Sequence, residues 1–428
     1  MNRPGVFSNL RQILPSVQNF IDALKEDLAN RRSILVVLPS TVHAEEIWPL
    51  LRAYIAQKEF SFDEVDSANL IREQSLLEGM CSSLTIKWKS GIKPESINHF
   101  YRNAARFPDV VYFERFDELP PQGRDKILKF FTEWSDASHI CTDQGGDPMA
   151  LCMVTSSVEV MNNTPTTDTH RGVHWWWGVP SALEIRLLCR ILNSSRDNQF
   201  SLWIESILPA IVGADMALAD YLWDDSDPSI VGIWQKLRSY SELRQWNAES
   251  LLNMGIDEYE DSLIFRREKS ALFRSNQIKQ LWGKGVLYWT PEYGVQLNTA
   301  VLALLGKKKE VQHRIWRGQV EYLLPMLDQI RLASCEKLTS LYGPAWPYKW
   351  HRPNNEEDFE AVKKDPLACE LGYLFYLLRT CEKMKKSKEL LPLVNLARDV
   401  RNELAHYRPV EYTQYEKLIK EMSIMTES

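Results

Sequence analysis

The stretch "SILVVLPSTVHAEE", residues 33–46, opens as a continuous apolar run between Arg31-Arg32 and Pro39, which reads as a buried strand followed by a turn. The segment before it, "SVQNFIDALKEDLAN" at 16–30, puts Val17, Phe20, Ile21, Leu24 and Leu28 on one helical face. Two further strand-like runs follow, "DVVYFERFDELP" at 109–120 and "ALCMVTSS" at 150–157, with the helical "GRDKILKFFTEWSD" between them. Strands alternating with helices predict a parallel sheet covered on both faces.

Beyond this region the pattern changes. A Pro- and Thr-rich loop is expected at "MNNTPTTDTHRGVHWWWGVPS", 161–181, then helices from about Ala182 to Leu281. The run "VLYWTPEYGVQLN", 286–298, reads as a hairpin because Pro291 and Gly294 separate two alternating segments, and a helix followed by such a hairpin resembles a winged helix. From Lys308 the chain is again helical, with a loop at "YGPAWPYKWHRPNNEED" and a basic turn at "KMKKSK", 383–388. Three domains are expected: 1–181, 182–306 and 307–428.

Composition narrows the functional classes. With 428 residues, 44% hydrophobic and 25% charged, the chain reads as a multidomain globular protein. No apolar run is long enough for a bilayer span, and "MNRPGVFSNLRQ" lacks the apolar centre of a secretory signal, so a cytoplasmic protein with no membrane contact is expected. The seven cysteines stand singly, without a C-x-x-C pair, which predicts reduced thiols rather than a zinc knuckle or disulfide framework. The net charge of −6 is uneven: residues 307–428 carry 21 Lys and Arg against 18 Asp and Glu, and the first 306 residues carry 30 against 39. A polyanion such as RNA would meet the C-terminal third more readily.

The order of strands, helical lid and winged helix over roughly residues 1–300 resembles the AAA+ and STAND ATPases. That resemblance implies a phosphate-binding turn after the first strand. A P-loop needs glycines, so that backbone N–H groups can wrap the phosphates, and a lysine for the β- and γ-oxygens. Here the turn has neither, and Glu45 and Glu46 would repel a triphosphate. At the second run the Asp-Glu pair expected for Mg²⁺ and water is replaced by Glu114-Arg115, followed by Phe116, Asp117 and Glu118. A degenerate P-loop domain that neither hydrolyses nor requires a nucleotide follows, with Asp117 and Glu118 read as helix-capping acids. Thr155, Ser156 and Arg186 occupy positions where the family reads a γ-phosphate, but an ordinary strand end and a surface arginine account for them. His170 and His174 have His-x-x-x-His spacing; without a third ligand they are read as loop residues among anchoring tryptophans, and no metal or cofactor is expected.

The run "LPLVNLARDVRNELAHYRP", 391–409, carries the chemistry. At 100° per residue, Leu393, Leu396, Ala397, Val400 and Leu404 form a core face, while Asn395, Arg398, Asn402, Ala405 and His406 lie away from it. Asn402 and His406 are i, i+4 neighbours, and Pro409 ends the helix so that the histidine sits in its last turn. An imidazole changes charge near neutrality and can move a proton, and a guanidinium can neutralise charge building on a phosphorus. Arg-Asn-x-x-x-His on the last long helix of a four-helix unit resembles the HEPN domains. "RNELAH" at 401–406 matches the motif at each fixed position, and requiring Asn beside the Arg makes a chance match about twentyfold rarer.

The resemblance covers about 308–428, with "EVQHRIWRGQVEYLLPMLDQIRLASCEKLTSL" as its first long helix. It implies a homodimer through this domain whose paired motifs cleave RNA without a metal, with Arg401 and His406 catalytic and Asn402 positioning them. Arg398, Lys383, Lys385 and Lys386 would hold RNA phosphates. Tyr407 directly follows the His, so the family variant with a Tyr two residues after it is not matched. The expected protein is an endoribonuclease effector of bacterial defence or toxin type, restrained by a non-hydrolysing ATPase-like domain that holds a protein partner. The alternative is a non-catalytic interaction subunit that uses both folds as docking surfaces.

Overall fold

The computed structural model describes residues 13–42, 47–73, 75–89, 94–177, 179–193, 199–223, 227–256, 275–290 and 294–427. Its first elements are α1 (Pro15–Ala29), β1 (Ser33–Val37), α2 (Trp48–Gln57), β2 (Phe62–Asp66), β3 (Val110–Glu114), α3 (Pro121–Ala137), β4 (Ala150–Thr155) and β5 (Arg171–Trp175). Then come α4 (Ala182–Asn193), α5 (Gln199–Val212), α6 (Ile230–Leu243), α7 (Asn276–Gly283), β6 (Leu287–Thr290), β7 (Gly294–Leu297) and α8 (Thr299–Leu304). The last are α9 (Lys308–Tyr342), α10 (Leu371–Thr380), α11 (Leu391–Ala405) and α12 (Tyr412–Glu427), with shorter helices and a small ribbon interspersed.

Two compact units result, and the chain alternates between them. One comprises Met1–Glu184, Gly213–Asp220 and Glu249–Asn298; the other comprises Ile185–Val212, Tyr221–Ala248 and Thr299–Ser428.

The first unit is an α/β fold around a sheet of order β2-β3-β4-β1-β5, in which each neighbouring pair is parallel. Every residue of β1 and β4 is buried, which is why these strands read as unbroken apolar runs. The edge strands were not legible in that way. "FDEVD" in β2 has four partly exposed positions and "RGVHW" in β5 has three, so the expected loop at 161–181 in fact contributes a strand. The hairpin is present, with Thr290 opposite Gly294, and its turn lies outside the described residues. The helix after Ser181 starts with a reciprocal cap. Ser181 N–H donates to Glu184 Oε2 at 2.8 Å, while Glu184 N–H donates to Ser181 Oγ at 3.3 Å.

The second unit is helical. α5 packs along α9 where Gly318 lets the backbones approach; a Cβ at 318 would stand 2.5 Å from the Ser206 carbonyl oxygen. Trp203 of α5 is fully buried, its ring centroid 5.2 Å from that of Tyr415 on α12. α11 packs against α9, α10 and α12 through Leu393, Val394, Ala397, Val400 and Leu404. Leu396, expected in the core, is only partly buried, and Val394 takes a core place because α10 and the 382–390 segment both flank the start of α11. The expected basic turn is a 3₁₀ helix, Glu382–Leu390. Cys381, Met384, Ser387 and Leu390 are buried at the three-residue period of that helix, which leaves Lys383, Lys385 and Lys386 exposed.

Candidate functional site

In a parallel sheet a ligand crevice forms at the carboxyl ends of neighbouring strands whose following connections diverge. β1 and β4 are such a pair, since the chain leaves β1 for β2 on one side and β4 for β5 on the other. On the β1 side of this crevice the turn after the strand packs against α7. Ser40 N–H, in the turn after β1, donates to the Gly283 carbonyl at 2.7 Å, and Trp282 lies 5.5 and 5.3 Å from the Trp175 and Trp177 rings. Glu45 and Glu46 of the same turn fall outside the described residues.

Asp117 is not a helix cap, in contrast to the sequence expectation. It lies in a short 3₁₀ turn where its carboxylate accepts Thr155 Oγ1–H at 2.5 Å, Ser156 N–H at 2.6 Å and Ser156 Oγ–H at 2.9 Å. The carboxylate thereby fastens the end of β4, and the Thr155 and Ser156 hydroxyls are committed to it. The two spaced histidines have separate partners: His170 Nδ1 is 3.2 Å from Ser138 Oγ, and His174 Nε2 is 2.7 Å from the buried Asp27. Among the described residues no group of three or more His, Cys, Asp or Glu side chains is placed to hold a metal ion. In the second unit Arg186 pairs with Glu321 at 2.5 Å.

The motif helix ends at a well-defined cap. His406 N–H reaches the Asn402 and Glu403 carbonyls, Tyr407 N–H that of Leu404 at 3.2 Å, and Arg408 N–H that of Glu403 at 3.0 Å. This is a Schellman arrangement, in which the residue after the C-cap is left-handed and is ordinarily Gly. Here it is Tyr407, at φ 58°. Two side chains of α9 fix the same end. Trp316 Nε1–H donates to the Leu404 carbonyl at 2.7 Å, and fully buried Gln319 bonds both ways with the Val410 backbone, at 2.9 and 2.7 Å.

On this frame Arg401 and His406 are exposed and Asn402 is partly so. The Arg401 guanidinium leans along the helix onto Asn402, with Nη1 donating to Oδ1 at 3.2 Å, and its Nη2 lies 3.6 Å from Glu370. Asn402 stands one turn before His406 on the same side. Arg398 is held by Asp399 at 2.7 Å and lies over the Phe375 ring at 3.8 Å, so it is less free to meet a phosphate than the sequence suggests. Lys383, Lys385 and Lys386 project from their own 3₁₀ helix, exposed.

Sequence reasoning missed several neighbours. Glu370, Asp399 and Glu403 each place a carboxylate beside an arginine, the last 2.9 Å from Arg408. The rings of His313 and Trp316 lie 5.0 Å apart, and those of Trp316 and Tyr407 4.9 Å apart. Partial burial, with Arg317 and Arg314 nearby, lowers the pKa of His313. Asp399, Glu403 and Tyr407 lie on or directly after α11 itself, whereas Glu370, His313 and Trp316 come from distant segments that only the packing of α9 and α10 on α11 brings to the motif.

No family model matches the chain, and neither does any curated protein sequence. Among solved structures, a chain of the Drosophila ORC assembly bound to poly(dA/dT) DNA and Cdc6 aligns with a TM-score of 0.25 and 10% identity, over 97% of this chain and 70% of that one. A likeness of that size carries no conclusion about this chain. Its fold rests on its own geometry: an N-terminal α/β unit with a parallel sheet and a mainly helical remainder, in which no described helix is long and apolar enough to cross a membrane.

Proposed function

We propose that the exposed end of α11 is an RNA-cleaving site of HEPN type, completed when two copies pair, and that the α/β unit is a non-hydrolysing regulatory module that holds a protein partner. One observation supports this above others. The Arg401 guanidinium rests on Asn402, which precedes exposed His406 by one turn, so a cation, an amide and an imidazole are all accessible within the last two turns of a helix whose other face is core.

In this reading the imidazole of His406 takes the proton of a ribose 2′-hydroxyl. The 2′-oxygen forms a bond to phosphorus, the bond from phosphorus to the 5′-oxygen breaks, and the departing 5′-oxygen takes up a proton from the second copy's imidazole. Arg401 neutralises the extra charge on the phosphoryl oxygens. Its contact with Glu370 is exposed and weak, and a phosphate can displace it. The products are a 2′,3′-cyclic phosphate and a 5′-hydroxyl, and no step requires a metal.

The test is to incubate the protein with single-stranded RNA in excess EDTA and to determine the product ends. Cyclic phosphate ends support the reading; 5′-phosphate ends or a requirement for divalent cation overturn it. The alternative, a docking unit without chemistry, is favoured by the local charge balance, because Arg398, Arg401 and Arg408 each have a neighbouring carboxylate.

A further inference from the structure

The cap of the motif helix carries more aromatic surface than a cap needs. The Leu404 carbonyl is already satisfied by Trp316 Nε1–H, and a glycine at 407 would hold the left-handed turn without strain. The position is instead a tyrosine whose ring lies tilted against Trp316, at an interplanar angle of 46°, while the residue remains 69% exposed. Trp316 in turn lies at 31° to the exposed His313 ring. The indole is fixed by its hydrogen bond, so the three rings are held together beside His406 rather than collapsing into the core.

We infer that His313, Trp316 and Tyr407 form a stacking platform for an unpaired base of the RNA strand, next to the nucleotide whose phosphate meets His406. This rests on the RNA-cleaving reading above. A base suits the surface better than a peptide or lipid chain would. The rings offer flat π-faces, Arg401 and Arg408 stand exposed on the same helix end for the flanking phosphates, and aromatic platforms bind bases of any sequence. The exposed tyrosine in a strained turn is then explained by its ligand, because the backbone gains nothing from it.

Tyr407→Gly separates the platform from the fold, since glycine keeps the turn and removes the ring. Binding is measured by fluorescence anisotropy with a short fluorescein-labelled strand of 2′-O-methyl RNA, which cannot be cleaved, and with an abasic strand of equal length. Tyr407→Gly is expected to bind the base-bearing strand about tenfold more weakly and the abasic strand within about twofold of wild type, with an unchanged circular-dichroism melt. Trp316→Phe, which keeps a ring but releases it from the Leu404 carbonyl, serves as the second variant and is expected to weaken binding of the base-bearing strand while sparing the abasic one. Equal affinity of Tyr407→Gly and wild type, or an equal loss on both strands, overturns the platform. If wild type still cleaves RNA in that case, the cleavage reading survives; if wild type neither binds nor cleaves, both fall.

Discussion

At the scale of single residues, the informative side chains are those that take a role different from their local sequence appearance. Asp117 follows a strand and precedes a helix, which makes it read as a cap, but its two oxygens accept three hydrogen bonds from Thr155 and Ser156. Asp117→Ala is therefore expected to lower the unfolding free energy by about 2–3 kcal/mol in urea denaturation, since hydrogen bonds to a charged acceptor exceed neutral ones. A loss below about 0.5 kcal/mol would show that solvent replaces the carboxylate freely. Tyr407 presents the opposite balance: relief of its left-handed strain and loss of its contact with Trp316 nearly cancel, each worth about 1 kcal/mol. That cancellation is what makes the glycine variant a clean probe of binding.

At the scale of elements, α9 organises the helical unit by touching α5 on one side and the end of α11 on another. Gly318 sets the first contact. Gly318→Val is expected to destabilise by at least about 2 kcal/mol in thermal or chemical melts, because the new side chain meets backbone that has no space to give. A variant as stable as wild type would mean that α5 shifts at little cost. The same comparison shows what the sequence could reveal. β1, β3, β4 and the α11 core face were legible because burial on both sides, or on one stripe, imposes an apolar period. β2 and β5 were not, because an edge strand keeps polar residues on its open side. The spacing of Arg401, Asn402 and His406 was legible, whereas Glu370, His313 and Trp316 come from distant segments that no local period links to α11, and Asp399, Glu403 and Tyr407 show their partners only in three dimensions.

At the scale of the whole molecule, the chain passes repeatedly between an α/β unit and a helical one, so neither is a simple half of the sequence. In the α/β unit the turn after β1 is held against α7 by the Ser40 to Gly283 hydrogen bond, and the role proposed for this unit is to report on a partner without turning over a nucleotide. Residues 307–428, all of which belong to the helical unit, are slightly basic while the first 306 are acidic, and the proposal therefore gives polyanion contact to the helical unit. The proposal as a whole depends on the imidazole at the end of α11. The most direct measurement is a time course of total RNA incubated with the purified full chain and with its His406→Ala variant, resolved on a denaturing gel. The account predicts degradation by the wild type and a rate at least about a hundredfold lower for the variant, with both proteins melting at the same temperature. Equal rates for the two proteins, or RNA left intact by the wild type at every protein concentration, would contradict it.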